Sequence, residues 1–338
     1  LVPDAANALK TVFDLTSVKL IFTGSISVQL REIAAKMAGR VLSFRLMPFS
    51  FGEFLRARDP FLKRITLEHR QIVRDFVLNG TVGELPPLPQ DAIIEQLNRM
   101  VAEFMTFGGY PAVVLEADLE VKRHLLYSIL SMVFERDILM LTSSGQFERF
   151  TAVLSALAGL GCGIFGFRNF CSELGINFRT LRKYVEAIEN ALIVSTLRPF
   201  HRNRITELKK SPKICFNDLG FRNISVDSFS DPTVRPDKGV LGEIFVLSEL
   251  LKLLPVWERI SYWRTKSKQE VDFVIFHNDV PMPLEVKNRS MRNLEMPRGL
   301  VSFIKTYEPP VAMVVNKNLF GMNEFDGCKV LFVPFWAF

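Results

Sequence analysis

Two apolar stretches near the C-terminus contain acidic residues where core residues would be expected. Asp272 lies in EVDFVIF, Glu285 lies in PLEVK, and Lys287 follows two positions after Glu285. Side chains two positions apart on a strand point to the same face of a sheet. The interval of 13 residues from Asp272 to Glu285 accommodates the end of one strand, a turn over 277–281 and the start of a second strand. The pattern therefore predicts a hairpin that carries ionisable groups.

A further acidic residue, Glu243, lies at the start of a predicted amphipathic helix, LGEIFVLSELLKLL (241–254). If Asp272 faces the same side as Glu285, three buried carboxylates converge, and their mutual repulsion raises their pKa values. A divalent cation relieves that repulsion, and carboxylate oxygens suit Mg²⁺ or Mn²⁺. We therefore predict Asp272 and Glu285 as metal ligands, and Glu243 as a catalytic residue that contacts the ion directly or through water.

Lys287 is predicted to orient or help deprotonate a water molecule, or to stabilise charge on a phosphate. The alternative is that these residues only close a structural salt-bridge cluster, because a glutamate two positions before a lysine is a common pair. The helix, the preceding acidic strand and the apolar flanks favour the first interpretation.

The C-terminal region, residues 205–338, predicts a mixed sheet flanked by helices. Five strand-like runs follow the helix: ISYWRTK, EVDFVIF, PLEVK, VAMVVN and VLFVPF. Their content of β-branched and aromatic residues is typical of buried strands. We expect one α/β domain over this range.

Residues 146–204 show the outline of a winged helix-turn-helix. A short helix (168–174) meets Gly175, a second helix (178–190) follows, and ALIVSTLRPF is typical of a strand. The second helix has an apolar face formed by Phe178, Leu181, Tyr184, Val185 and Ile188.

Basic residues lie elsewhere on that second helix. Arg179, Arg182 and Lys183 are predicted to contact DNA. The alternative, equally weighted, is a winged helix that serves only protein packing and whose basic residues are merely solvated.

The N-terminal segment resembles one step of a doubly wound α/β sheet. VKLIFTGS (18–25) and VLSFRLMPF (41–49) are predicted parallel strands, and SVQLREIAAKMA (27–38) is a predicted helix ending at Gly39. Residues 61–145 have a helical pattern, interrupted by a loop at 83–90.

Composition sets broad limits on the class of protein. The chain has 338 residues, a net charge of +6, 48% hydrophobic residues and four cysteines without CxxC spacing. The mild basic excess permits nucleic-acid binding. The sequence contains no run of eighteen apolar residues, so it predicts no membrane span. No secretory signal pattern is visible, and we expect a cytoplasmic protein whose cysteines are reduced core thiols.

The acidic constellation resembles the PD-(D/E)XK nuclease core. In that core a helix supplies a glutamate, one strand an aspartate, and the next strand a Glu-x-Lys pair. The matching residues here are Glu243, Asp272 and Glu285-Val286-Lys287, in the same order.

The whole chain resembles the archaeal and bacterial AAA-type ATPase family that carries such a nuclease-like domain at its C-terminus. The resemblance rests on an ordered set of stretches: LIFTGSISVQLREIAAKMAGRVLSFRLMPFSFGEFL, FGGYPAVV, FERDI, SPKICFNDLGFRN, GVLGEIFVLSEL, ISYWRTKSKQEVDFVI and PLEVK. It implies a multidomain α/β chain. Its four regions would be the C-terminal part of an AAA-type ATPase core (1–60), a helical lid (61–145), a winged helix-turn-helix (146–204) and a PD-(D/E)XK nuclease-like domain (205–338).

The resemblance also implies a nucleotide role for three residues. Thr23 or Ser25 would sense the γ-phosphate of ATP, and Arg40 would stabilise its charge; the equally weighted alternative is an N-capping serine and a surface arginine. No GxxxxGK[ST] motif occurs. In the family, that motif lies before the position matching Leu1, so ATP is expected to bind the complete protein and not this chain.

Two functions of different class remain. The first is an ATPase-linked, DNA-processing protein with a metal-dependent nuclease-like domain, in which Mg²⁺ or Mn²⁺ is the cofactor. The second is a non-catalytic module that binds nucleic acid or protein partners. The presence of all four core residues favours the first, and an oligomer is compatible with both.

Overall fold

The computed structural model describes residues 5–21, 23, 34–37, 39–135, 147–201, 207, 210–277 and 280–338. The N-terminal part contains helices α1 (Ala5–Leu15), α2 (Phe51–Arg58), α3 (Pro60–Ile65), α4 (Leu67–Asn79), α5 (Asp91–Phe107), α6 (Pro111–Leu115) and α7 (Leu119–Val133). The middle part contains α8 (Phe147–Leu160), β1 (Cys162–Ile164), α9 (Phe167–Leu174), α10 (Phe178–Asn190), β2 (Val194–Pro199), β3 (Lys213–Phe216) and α11 (Leu219–Ser225). The C-terminal part contains α12 (Lys238–Leu253), β4 (Ser261–Arg264), β5 (Glu270–His277), β6 (Val280–Val286), α13 (Arg298–Tyr307), β7 (Val311–Asn316), β8 (Gly321–Phe325), β9 (Cys328–Pro334) and a final 3₁₀ turn (Phe335–Ala337).

Local sequence explains where several helices begin and end. Ser50 and Glu53 form a reciprocal capping box at the start of α2, and Asp59 accepts from two backbone N–H groups at the start of α3. Asn177 caps α10 by accepting one hydrogen bond, from the backbone N–H of Thr180. The break between α9 and α10 falls at Gly175, whose φ of 60° lies in the left-handed region that favours glycine.

The strands form one mixed sheet of nine, in the order β1-β3-β2-β4-β5-β6-β7-β9-β8. β2 runs parallel to β4, and β6, β7 and β9 run parallel to one another, whereas the remaining neighbours are antiparallel. The five predicted C-terminal strand runs are confirmed as β4, β5, β6, β7 and β9. Sequence reasoning missed β8, a strand of five residues, and also α13, although Leu300, Phe303 and Ile304 give that helix a buried apolar face.

The predicted strands at 18–25 and 41–49 are wrong for the residues described there. Residues 17–21, 23 and 41–47 have no regular secondary structure, and the rest of the first run lies outside the described residues. Only 34–36 of the predicted helix 27–38 are described as helical. A parallel strand needs a neighbour that completes its ladder of N–H and C=O groups. The nine strands of the sheet that the structure describes come from residues 162–334, and none of them pairs with the described residues of this segment.

The structure also corrects the cysteine prediction. Cys162 on β1 and Cys215 on β3 face each other in the antiparallel register and are joined as a disulfide. Cys171 and Cys328 carry free thiols. The pairing depends on a contact 53 residues apart in sequence, which spacing patterns cannot show.

α8, β1, α9, α10, β2 and β3 follow one another and form a small unit. β3 pairs with β1 on one side and with β2 on the other, although the predicted boundary at 204/205 separates β3 from both. Through β2, this three-stranded portion joins β4 and the rest of the sheet. The domain ranges themselves stay predictions.

Helix α12 lies in the main core of the molecule. It was predicted as amphipathic, but nearly its whole circumference is buried; the buried residues are Leu241, Gly242, Ile244, Phe245, Val246, Leu247, Ser248, Glu249 and Leu250. A second, smaller core lies between the sheet and α13, and it contains Leu300, Phe303 and Ile304 of that helix. Within the part of the chain that the structure describes, no helix has the length and apolar character needed to cross a bilayer.

Candidate functional site

Asp272 lies at an irregularity of strand β5. The register with β4 shifts between Ser261, which faces Val274, and Trp263, which faces Val271, so that Asp272 and its neighbour oppose a single residue. Such a bulge re-aims side chains and is common next to functional sites. The backbone pairing of β5 with β6 also ends at Phe273, the residue that follows Asp272.

The Asp272 side chain adds a hydrogen bond between β5 and β6 beyond their last backbone pair. Its Oδ2 accepts a hydrogen bond from the backbone N–H of Val286 at 2.8 Å. The carboxylate is thus fixed next to the strand that carries Glu285 and Lys287.

Glu285 and Lys287 meet as their spacing predicts. The Lys287 Nζ lies 2.5 Å from Glu285 Oε1, with the lysine half-buried and the glutamate 6% exposed. The second oxygen, Glu285 Oε2, is buried and has no hydrogen-bond partner. An orphaned carboxylate oxygen inside a protein is costly unless a cation or donor reaches it.

Glu243 is engaged by a residue that sequence reasoning missed. The Lys213 Nζ on β3 lies 2.7 Å from Glu243 Oε2 and 3.5 Å from Glu270 Oε1. Lys213 is 2% exposed. Its position 30 residues before Glu243 gave no local sign of this contact; a lysine directly preceding the apolar run ICF was the only signal available.

The pKa values show that these groups interact. Burial raises the pKa of Glu285 to about 8, and the charge of Asp272 adds to the rise while Lys287 opposes it. Burial likewise raises the pKa of Glu243 to about 7, opposed by Lys213 and increased by the Asp272 charge. Burial lowers the pKa of Lys213, but the charges of Glu243 and Asp272 outweigh burial and raise it. The charge of Asp272 therefore acts on Glu243, Glu285 and Lys213 alike.

Of the three predicted nucleotide residues, Thr23 and Arg40 lie among the described residues. Thr23 is exposed, and Ser25 lies outside the described residues. Arg40 is exposed and forms an ion pair with Asp14, with 2.7 Å between Nε and Oδ1.

The predicted DNA-contacting residues are all exposed on α10. Arg179, Arg182 and Lys183 lie on the side opposite the buried face, and Arg182 pairs with Glu186 one turn later at 2.8 Å. Four of the five predicted apolar-face residues are buried: Leu181, Tyr184, Val185 and Ile188. The fifth, Phe178, is 52% exposed, and the centroid of its ring lies 5.3 Å from that of the Phe167 ring.

The cluster offers two carboxylates to a cation. In the described residues, no group of three or more His, Cys, Asp or Glu side chains is arranged to hold a metal ion. Asp272 and the orphaned oxygen of Glu285 nevertheless fit a hard cation, because Mg²⁺ is commonly held by one or two carboxylates with water and substrate phosphate completing its shell. Lys287 lies beside Glu285 with 31% of its side chain exposed.

Three families match parts of this chain. Residues 1–55 match the AAA domain, which indicates an ATPase-like region. Residues 98–231 match a domain of unknown function (DUF8612), and residues 238–336 match another (DUF4143). The last match contains Glu243, Asp272, Glu285 and Lys287.

Curated relatives come from bacteria and archaea. An uncharacterized protein of Mycobacterium tuberculosis is 30% identical over 129 residues, which cover 38% of this chain and 29% of that protein. An uncharacterized protein of Methanocaldococcus jannaschii is 25% identical over 267 residues, 76% of this chain and 52% of that protein. One from Haemophilus influenzae is 20% identical over 336 residues, 98% of this chain and 72% of that protein. The chain thus spans less than a third of its mycobacterial relative, and no solved structure matches it.

Proposed function

We propose that this chain belongs to an ATPase-linked, DNA-processing protein whose C-terminal region carries a metal-dependent nuclease-like site. The carrying observation is the buried and unpaired Oε2 of Glu285, with Asp272 and Lys287 beside it. A hydrolytic site for phosphodiesters needs an anionic position for a cation and a neighbouring group that can donate to a phosphate or a water. These residues supply both.

Asp272 and Glu285 would hold a single Mg²⁺ or Mn²⁺. Such an ion polarises the phosphoryl group and lowers the pKa of a bound water. Asp272 is oriented by the Val286 N–H, so its free oxygen can face the ion without loss of strand geometry. Lys287 is exposed enough to donate a hydrogen bond to the attacking water or to a phosphate oxygen.

The unit formed by α8, β1, α9, α10, β2 and β3 would supply DNA binding. Its order of helices and strands, and its β1-β3-β2 arrangement, support the winged helix-turn-helix interpretation. In that interpretation α10 is the helix that approaches DNA, and Arg179, Arg182 and Lys183 contact phosphates. The match of residues 1–55 to the AAA domain supports the link to an ATPase.

A second candidate is a non-catalytic interaction module with an inactive nuclease-like fold. It is favoured by the two lysines that already neutralise glutamates of the cluster, Lys213 at Glu243 and Lys287 at Glu285. In that case the ionisable groups hold elements together and no cation is needed.

Nicking of supercoiled plasmid DNA in the presence of Mn²⁺ separates the two candidates. The first predicts cleavage that is lost in Asp272→Ala and in Lys287→Ala. Cleavage that survives both substitutions would come from a contaminant. If the protein is folded but neither binds Mn²⁺ nor cleaves DNA, the result would favour the interaction module.

A further inference from the structure

Two lysine–glutamate pairs flank Asp272. Lys287 pairs with Glu285 at 2.5 Å, and Lys213 pairs with Glu243 at 2.7 Å. The two lysines differ in setting: the Lys287 side chain is 31% exposed, whereas the Lys213 side chain is 2% exposed. Of the two lysines, only Lys287 can leave its glutamate and form a hydrogen bond with solvent or substrate instead.

Lys213 is fixed from several directions. Its Nζ lies 2.7 Å from Glu243 and 3.5 Å from Glu270, and it lies over the Phe273 ring, 5.7 Å from the ring centroid. These neighbours belong to α12 and β5, so one ammonium group joins three elements. A buried lysine needs such compensation, because an uncompensated charge in the interior is strongly destabilising.

We propose that the Lys213 ammonium takes the place of a second divalent ion in this cluster, so that the site holds one ion, on Asp272 and Glu285. Glu243 is then a positioning residue, occupied by Lys213, and not a metal ligand. This inference rests on the proposed metal site. It revises the sequence expectation that Glu243 reaches the ion.

Charge balance supports a single ion. The cluster contains the carboxylates of Glu243, Glu270, Asp272 and Glu285 and the ammonium groups of Lys213 and Lys287. Arg264 Nη1 also lies 3.6 Å from Glu270 Oε2, so with all seven groups ionised the net charge is minus one, and one divalent cation brings it to plus one. A second ion would leave a larger excess of positive charge in a buried place, where ions of a two-metal site would also lie only about 3.5–4 Å apart.

The experiment counts bound Mn²⁺ on the full chain, by calorimetric titration and by the loss of the free-ion electron paramagnetic resonance signal. We expect one ion per unsubstituted chain. Asp272→Asn and Glu285→Gln should each weaken binding by about tenfold or more, since each removes a charged ligand. Glu243→Gln should keep one ion with an affinity within about fivefold, because its partner is Lys213.

Lys213→Met is the decisive variant, and Lys213→Arg is its charge-retaining control. Removal of the ammonium frees Glu243 and Glu270, so Lys213→Met should bind one ion more than the unsubstituted chain, whereas Lys213→Arg should not. Circular dichroism establishes whether each variant is folded. If Lys213→Met does not fold, the unsubstituted chain and Glu243→Gln still decide the matter.

Each outcome is informative. Two ions on the unsubstituted chain, with one lost in Glu243→Gln, would overturn the inference while leaving a metal site. A folded Lys213→Met variant that gains no ion would also overturn it. No ion on the unsubstituted chain but one on Lys213→Met would support the role of Lys213 and contradict the proposed Asp272–Glu285 site.

Discussion

Asp272 Oδ2 accepts the backbone N–H of Val286 across 2.8 Å, so that a side chain takes over where the backbone ladder of β5 and β6 ends. The Asp272 carboxylate therefore has a structural role and an electrostatic role. Its bonded oxygen holds the strand that carries Glu285 and Lys287, and its charge acts on both Glu285 and Glu243.

The variants Asp272→Asn and Asp272→Ala distinguish the structural role from the electrostatic role. Asparagine keeps an oxygen that can accept from Val286, so we expect the free energy of unfolding to change by less than about 1 kcal/mol. Alanine leaves the half-buried N–H without its partner and should cost about 1–3 kcal/mol. Urea unfolding measures both. Cleavage of plasmid DNA should be lost in both variants, and an asparagine variant that cleaves at the unsubstituted rate would contradict a charged ligand role.

Close backbone contact explains the glycine in NDLGF. A Cβ on Gly220 would lie 2.3 Å from the carbonyl oxygen of Phe107, which cannot move without shifting α5. We therefore expect Gly220→Ala to destabilise the protein by about 1–3 kcal/mol. Gly159→Ala is the matched control: that glycine is exposed in α8 and nothing lies within 4 Å of its added Cβ. It should stabilise by about 0.5–1 kcal/mol, and equal effects of the two substitutions would show that packing at 220 is loose.

Local pattern was enough for some elements. The apolar runs around Val274 and Val314 predicted β5 and β7 because buried strands are short and rich in β-branched residues. Gly175 and the spacing of Leu181, Tyr184 and Ile188 predicted the two helices and the turn between them.

Contacts between distant parts of the chain could not be predicted from the sequence. Lys213 joins Glu243 only because β3 and α12 pack together, and no local pattern specifies that packing. Cys162 meets Cys215 for the same reason. The strand predicted at 41–49 failed because strand character also needs a neighbouring strand, which no local run of residues provides.

Acid sensitivity should arise at Asp237. Burial opposes its ionisation, but hydrogen bonds and charges from Arg235 and Arg222 outweigh burial and lower its pKa to about 2. A depressed pKa contributes stability that is present above the unfolded value, 3.8, and is lost as the pH falls through about 2. The urea midpoint should therefore fall between about pH 4 and pH 2.

Asp237→Asn tests this assignment. It should lower stability at pH 7 and flatten the decline between pH 4 and pH 2, because asparagine does not titrate. Asp231→Asn is a useful control, since the pKa of Asp231 is also lowered, chiefly by hydrogen bonds from Thr233, but no arginine pairs with it among the described residues. A decline as steep in Asp237→Asn as in the unsubstituted chain would place the acid sensitivity elsewhere.

Duplex DNA should bind weakly and in a salt-sensitive manner through α10. Each lost phosphate contact lowers the slope of log affinity against log salt by about 0.9. Arg179→Ala combined with Arg182→Ala should therefore weaken binding and reduce that slope by about 1–2, as measured by fluorescence anisotropy at several salt concentrations. Arg182 must release Glu186 to reach DNA, but an exposed pair of this kind costs less than about 1 kcal/mol to break.

The matched control for this experiment removes the same charge from other helices. Arg99 on α5 and Arg123 on α7 each pair with a glutamate one turn away, at 2.6 Å and 2.9 Å. The Arg99 side chain is 69% exposed; the Arg123 side chain is 43% exposed, with its Nε buried and its guanidinium 5.1 Å from the centroid of the Phe229 ring. Arg99→Ala combined with Arg123→Ala lowers the net charge by the same two units, so any effect of overall charge appears in both double variants. If the two affect affinity and salt slope equally, binding reflects the net positive charge of the chain and α10 has no particular role. If affinity does not change with salt in the unsubstituted chain, phosphate contacts do not supply the binding energy at all.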